Sequence, residues 1–178
     1  MKPRRGPQGL LKDAPCLTQA ATMLLEVIAK RRKVFEFGAG GSTLWLAGIA
    51  SSVVSVEDDR NWYEAVRAEF AAAGIDKVEM VHAPTHEMHK VIHDRGEFSV
   101  IYVDPLEQKA RARCIAASVA HVKRGGWLVA DDYNFPMVKA EIDRLRGKWD
   151  VAIVAGSKVH PTRGVVVATS TAFCRRPE

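Results

Sequence analysis

The chain has 178 residues, 47% hydrophobic and 26% charged, a composition that fits one soluble globular domain and excludes a disordered, fibrous or membrane-embedded chain. At this length roughly two-thirds of the unfolded surface is buried on folding, so neither disulfides nor a structural metal are needed. The formal net charge is +5, but Lys2, Arg4, Arg5 and Lys12 carry four of those charges with no acid among them; the later basic residues are interleaved with acids, which argues against nucleic acid as a partner.

Residues 1–15 carry Pro3, Pro7, Pro15, Gly6 and Gly9 without periodicity and read as a flexible basic arm ahead of a single domain, 16–178. Leu17, Ala20, Ala21, Leu24, Leu25 and Ile28 recur at helical spacing, and the basic run 30–33 suits that helix's C-terminus. Val34-Phe35-Glu36-Phe37 is a strand broken by Gly38-Ala39-Gly40-Gly41, after which Ser42 or Thr43 is expected to cap a helix. Residues 53–56 form a second strand, and Asp58 or Asp59 caps a helix with Trp62, Val66 and Phe70 on one face. Residues 78–81 make a third strand, followed by a helical turn begun by Pro84, and 98–103 a fourth with the continuous apolar run of a central parallel strand. A helix over about 107–122 is expected to close at Gly125-Gly126 before a fifth strand, 127–130, and Pro136 starts another helix. Strands at 151–154 and 165–169, joined by a loop over 156–164, are close enough to pair antiparallel. The sum is an α/β domain.

No apolar run approaches the roughly eighteen residues of a membrane span, and residues 6–15 lack the apolar core of a signal peptide. Cys16, Cys114 and Cys174 are odd in number, far apart and without CxxC spacing, which argues against a disulfide framework or zinc site and fits a reducing cytoplasm.

Chemistry concentrates at the strand ends. In Gly38-x-Gly40 the missing side chains let backbone N–H groups approach a ligand at a helix N-terminus. Glu57 ends the second strand where open α/β sheets place a carboxylate against ribose hydroxyls, and the two features together indicate a nucleoside ligand. Thr43 stands where a dinucleotide fingerprint needs its third glycine, and Glu36 would repel a pyrophosphate. That acid suits a cationic ligand, a sulfonium bearing an ammonium group.

Residues 34–43 resemble the first motif of class I S-adenosylmethionine-dependent methyltransferases, and 53–57, ending at Glu57, are similar to the acidic motif that follows. Residues 98–105, through Asp104-Pro105, resemble the fourth-strand motif, 123–132 the strand-five motif, and 165–175 the last strand. The resemblance implies a Rossmann-like three-layer sandwich whose mostly parallel seven-stranded sheet ends in an antiparallel strand, with S-adenosyl-L-methionine as cofactor. It places Gly38 and Gly40 along the methionine part, Glu57 on the ribose, and Glu36 on the loop and its waters, with Asp104 at the cofactor's edge. Ala39, Ser42, Thr43 and Asp58 complete the cofactor-binding set. An acid after strand three, which many members aim at the adenine, is replaced by His82-Ala83-Pro84, so adenine recognition rests on backbone groups or His82.

Asp104, Asp131 and Asp132 end strands four and five. Similar motifs in catechol-type O-methyltransferases hold Mg2+, but there the last pair is Asp-Asn, so no metal ligand is assigned and Mg2+ is disfavoured. The alternative is that Asp131 or Asp132 caps the next turn. Asp104-Pro105 is also similar to the start of the Asp-Pro-Pro-Tyr motif of amino-methyltransferases, but Leu106 and Glu107 replace its last two residues, which argues against nucleic-acid N-methylation. His82, His86, His89 and His93 would share one face if helical; an exposed helix is preferred to a zinc site, and His86 or His89 is an alternative general base. Trp45 and Trp62 read as core, residues 133–135 as turn or substrate contact, and Arg111 and Arg113 as solvated helix residues before acidic-substrate ligands.

The reading is methyl transfer to a small-molecule acceptor, on oxygen or nitrogen, with Asp104 and Asp132 as catalytic residues, no membrane partner, and a homodimer left open. The alternatives are a non-catalytic or partner-dependent cofactor-binding domain and a nicotinamide-dependent oxidoreductase.

Overall fold

A computed structural model describes residues 15–159 and 164–178. Of the expected arm over residues 1–15, only Pro15 falls among them. Seven strands, β1 (Lys33–Phe37), β2 (Ser52–Glu57), β3 (Val78–His82), β4 (Phe98–Val103), β5 (Val122–Ala130), β6 (Asp150–Val159) and β7 (Val166–Arg175), form one sheet in the order β3-β2-β1-β4-β5-β7-β6. β1 to β5 pair in parallel, and β7 lies antiparallel between β5 and β6. The chain therefore has the expected Rossmann-like sheet with its one antiparallel strand last.

Both faces are covered because the strands are apolar on both sides. On one face α1 (Gln19–Ala29) and α2 (Gly41–Ile49) pack through Leu25 and Leu46 on Val34, Val53, Val100 and Phe173, and α3 (Arg60–Ala72) adds Val66 and Phe70. On the other, α4 (Gln108–Ser118), α5 (Pro136–Asp143) and a 3-10 turn at Met88–Lys90 cover Phe35, Phe37, Ile101 and Leu128. Phe35 stacks against Phe37 and Phe98 at 4.8 and 5.0 Å. The period-2 alternation that sends Phe35 and Phe37 one way sends Glu36 the other, beneath α2.

Three expectations are corrected. The helix expected over about 107–122 ends at Ser118, and Gly125-Gly126 lie inside β5 rather than closing that helix. The pairing of β4 with β5 shifts between Phe98 and Val100, and this glycine pair absorbs the shift: Gly125 has φ +68°, and a Cβ on Gly126 would lie 2.9 Å from the Ser99 carbonyl oxygen. The loop expected over 156–164 is strand as far as Val159, with Gly156 paired to Thr169 and Lys158 to Val167. Finally, Gly40 is the N-cap of α2, and Ser42 and Thr43 lie within its first turn. Among the described residues no helix is long and apolar enough to cross a membrane.

Candidate active site

The loop after β1 is pinned from three directions. Gly38, at φ +88°, donates its N–H to the Val56 carbonyl at 2.8 Å, and a Cβ there would sit 2.7 Å from the Asp104 carbonyl oxygen, so only glycine lets the loop cross β4 so closely. Ala39 N–H donates to Glu57 Oε2 at 2.9 Å, and Trp62 Nε1 donates to the Ala39 carbonyl at 2.8 Å. Gly40 N–H donates to the Thr43 hydroxyl at 2.9 Å.

Beneath that loop Glu36 is fully buried and accepts three hydroxyls, from Ser42 at 2.5 Å, Thr43 at 2.5 Å and Ser55 at 2.6 Å. All three donors are neutral, so burial wins over the hydrogen bonds and pushes its carboxyl up to about 7. Ser42 thus serves this carboxylate, and Thr43 serves both the carboxylate and the helix start, where its hydroxyl accepts the N–H of the N-cap residue Gly40. Glu57, at the end of β2, is buried as well and also accepts the Asp59 N–H at 2.9 Å.

The neighbouring strand brings the remaining cofactor-binding candidates alongside. His82 pairs in register with Glu57, Ala83 N–H donates to the Glu57 carbonyl at 3.1 Å, and the Tyr63 ring lies 5.7 Å from the His82 ring. Asp58 accepts the Thr85 hydroxyl at 2.6 Å. Glu36, Gly38, Ala39, Gly40, Ser42, Thr43, Glu57, Asp58, His82 and Ala83 are therefore neighbours along the carboxyl ends of β1, β2 and β3.

Asp104, Asp131 and Asp132 gather next to them, with one carboxylate oxygen from each within 4.8 Å of the others. Two cations hold them together. Arg111, from the first turn of α4, reaches Asp104 at 2.6 Å through Nη2 and Asp132 at 3.1 Å through Nη1, and its Nε donates to the Pro105 carbonyl at 2.5 Å. Lys158 of β6 contacts Asp131 and lies 3.3 Å from Asp132. Thr171 and Thr169 of β7 donate to Asp131 and Asp132 at 2.9 and 2.8 Å, and the Tyr102 hydroxyl donates to Asp104 at 3.1 Å. Asp132 has φ +53°, a left-handed turn that lets consecutive acids face the same pair of cations. Arg111 and Lys158 hold the Asp132 carboxyl below its ordinary value, while burial beside Asp104 raises that of Asp131.

Arg111 is thus neither solvated nor open to an acidic substrate: it is 5% exposed and committed to two carboxylates. Sequence reasoning missed this role and missed Lys158 altogether. The available signal was the Asp131-Asp132 pair itself, since adjacent acids at a buried strand end require cations. The same contacts test for a metal. Each of the three acids already spends an oxygen on an ammonium or guanidinium, so the donor set does not fit Mg2+.

The expected one-sided row of histidines does not form, because the segment after β3 is a series of turns around one short 3-10 helix. His93 instead meets His121, with Nδ1 3.3 Å from its Nε2. Trp45 packs with the core on the α1 side and Trp62 beside Val66 and Phe70. Tyr133 N–H donates to the Ser170 carbonyl at 2.8 Å, and the Phe135 ring lies 5.9 Å from the Arg111 guanidinium.

No family model and no curated protein matches the sequence. Solved structures do. TomG, the O-methyltransferase of tomaymycin synthesis from Streptomyces achromogenes, solved with S-adenosylmethionine, superposes with a TM-score of 0.71 at 18% identity, over 99% of this chain and 92% of its own. An O-methyltransferase from Bacillus cereus, in complex with S-adenosylhomocysteine, gives 0.71 at 16% identity over 98% and 92%. The N-methyltransferase NodS from Bradyrhizobium japonicum, also with S-adenosylhomocysteine, gives 0.67 at 14% over 94% and 91%. This is the class I methyltransferase fold. Within the methyltransferase fold the glycine loop and Glu57 stand at the carboxyl ends of adjacent strands, where open α/β sheets bind their ligands.

Proposed function

We propose that this chain transfers the methyl group of S-adenosyl-L-methionine to a small-molecule acceptor, on oxygen or nitrogen. The observation that carries the reading is the clasp of the glycine loop by Glu57, which sets a backbone cradle beside a carboxylate. Gly38, Ala39 and Gly40 line the methionine part of the cofactor. Glu57, held in place through the Ala39 and Asp59 N–H groups, is the carboxylate that meets the ribose hydroxyls. Asp58, His82 and Ala83 flank the adenine end, while Glu36, Ser42 and Thr43 hold the loop's shape from below.

Bound S-adenosylmethionine would supply an electrophilic methyl on a sulfonium, which the acceptor's lone pair would take as the carbon–sulfur bond electrons return to sulfur, leaving S-adenosylhomocysteine. The acceptor's proton passes to a carboxylate of the Asp104–Asp132 pair, which Arg111 orients. The remaining contribution is alignment and exclusion of water. The three unpaired cysteines fit a reducing compartment, the cytoplasm, and the exposed outer edge of β6 leaves a homodimer open.

Calorimetric titration with S-adenosylmethionine, S-adenosylhomocysteine and NAD tests the reading. Binding of both adenosyl-sulfur compounds is expected, with at least a tenfold loss in Glu57→Ala, on the order of one lost charge-assisted hydrogen bond. Binding of NAD alone would overturn it.

A further inference from the structure

Three carboxylates converging at a strand edge form a set that asks for a cation, because their mutual repulsion in a buried site is otherwise relieved only by protonation. Here the positive charge is built in. Arg111 bridges Asp104 and Asp132 from α4, and Lys158 bridges Asp131 and Asp132 from β6. Formally the cluster carries three negative and two positive charges, a net of −1.

The two cations are not equivalent. Arg111 is tied a third time, to the Pro105 carbonyl, and lies under the acids as part of the fold. The Lys158 ammonium is a compact point charge on a flexible stem. It lies against the oxygens of both members of the Asp131-Asp132 pair, and its side chain is 10% exposed. Thr171 and Thr169 turn those two carboxylates toward it.

We infer that Lys158 is the resident cation of this site, standing where a divalent ion would sit, so that the chain holds a latent divalent-cation site that its own lysine fills. Removing the lysine charge changes the formal net from −1 to −2 and frees Asp131 Oδ2 and Asp132 Oδ1, while Arg111 stays on Asp104 and on the other oxygen of Asp132; the freed carboxylate oxygens are the ligand type that Mg2+ or Mn2+ takes. The inference rests on the methyl-transfer reading only for what the cation does in the reaction. Occupancy of the site is a property of the folded chain alone.

The test uses Mn2+ as probe, with binding followed by its electron paramagnetic resonance signal in the absence of cofactor and acceptor. Wild-type protein is expected to show no binding that depends on Asp131, whereas Lys158→Met binds Mn2+ at least tenfold more tightly. Adding Asp131→Asn to Lys158→Met removes the gain. Lys158→Gln repeats the experiment if the Met variant does not fold, and circular dichroism verifies the fold of each. Mn2+ binding by wild type that is lost in Asp131→Asn would overturn the inference, as would a folded Lys158→Met or Lys158→Gln that gains nothing. Neither result bears on cofactor affinity, so a failure here is distinguishable from a failure of the methyl-transfer reading.

Discussion

Two groups of buried carboxylates lie at neighbouring strand ends and are satisfied in opposite ways. Beneath the glycine loop Glu36 receives three hydroxyls and no cation, while at β4 and β5 the acids are held by Arg111 and Lys158. Burial opposes ionisation in both places, and two cations together overcome it at Asp132, which is held below its ordinary value, while Glu36 with no cation is pushed up to about 7 and Asp131 with Lys158 alone is also raised. Neutral donors set the geometry of a loop without fixing its charge, and Arg111 together with Lys158 fixes the charge of Asp132. The first arrangement suits a cradle, and the second suits a place where a negative charge must be held at a fixed position.

The largest effect that separates the two is removal of Arg111. Arg111→Met takes the buried guanidinium away from the half-buried Asp104 and Asp132, which costs on the order of 2–3 kcal/mol of stability at pH 7, less than the loss of a partner in a fully buried pair. The loss shrinks as pH falls and Asp132, left with Lys158 as its one cation, protonates, and urea unfolding at pH 5 and pH 7.5 reads the difference. An equal loss at both pH values would mean that Arg111 acts through packing, and the contrast with Glu36 would disappear.

The cradle and the three clustered acids were legible in the sequence, and the two cations that hold those acids were not. Glu36, the glycines and Glu57 lie within 22 residues, and their apolar strands and turn glycines are local signals. Arg111 and Lys158 find their acids through tertiary structure: Asp132 is 21 residues from Arg111, and Lys158 reaches it from the far side of β7. Gly156 reads as the start of a loop running to 164, yet continuous pairing with β7 carries the strand past it and delivers Lys158 to the site. Gly125-Gly126 misled for a related reason, since a glycine pair marks a bulge as readily as a helix end.

The next effect concerns Glu36. Its folded pKa of about 7 lies above the ordinary 4.5, so between those values the folded chain binds a proton that the unfolded chain has released. The contribution of this group is therefore fully present below pH 4.5 and falls as pH rises to 7, by on the order of 3 kcal/mol. Glu36→Gln carries no such titration. The stability of wild type minus that of the variant should decline over this range, while other titrating groups cancel. A difference that stays constant with pH would mean that the three hydroxyls hold Glu36 ionised as firmly as a cation does.

The smallest effect probes a single hydroxyl. Ser55→Ala removes one of three donors, and above pH 7, where Glu36 is charged, this costs about 1 kcal/mol. Near pH 5 the carboxyl is protonated and can itself donate, so the cost falls to a few tenths of that. Because the hydroxyl favours the ionised form, its loss also moves the Glu36 midpoint upward, which carbon-13 NMR of the side-chain carboxyl records directly. Thr43→Val, which additionally leaves the Gly40 N–H without its acceptor, should cost more at both pH values. The ranking of the two variants thereby separates holding the charge from holding the loop.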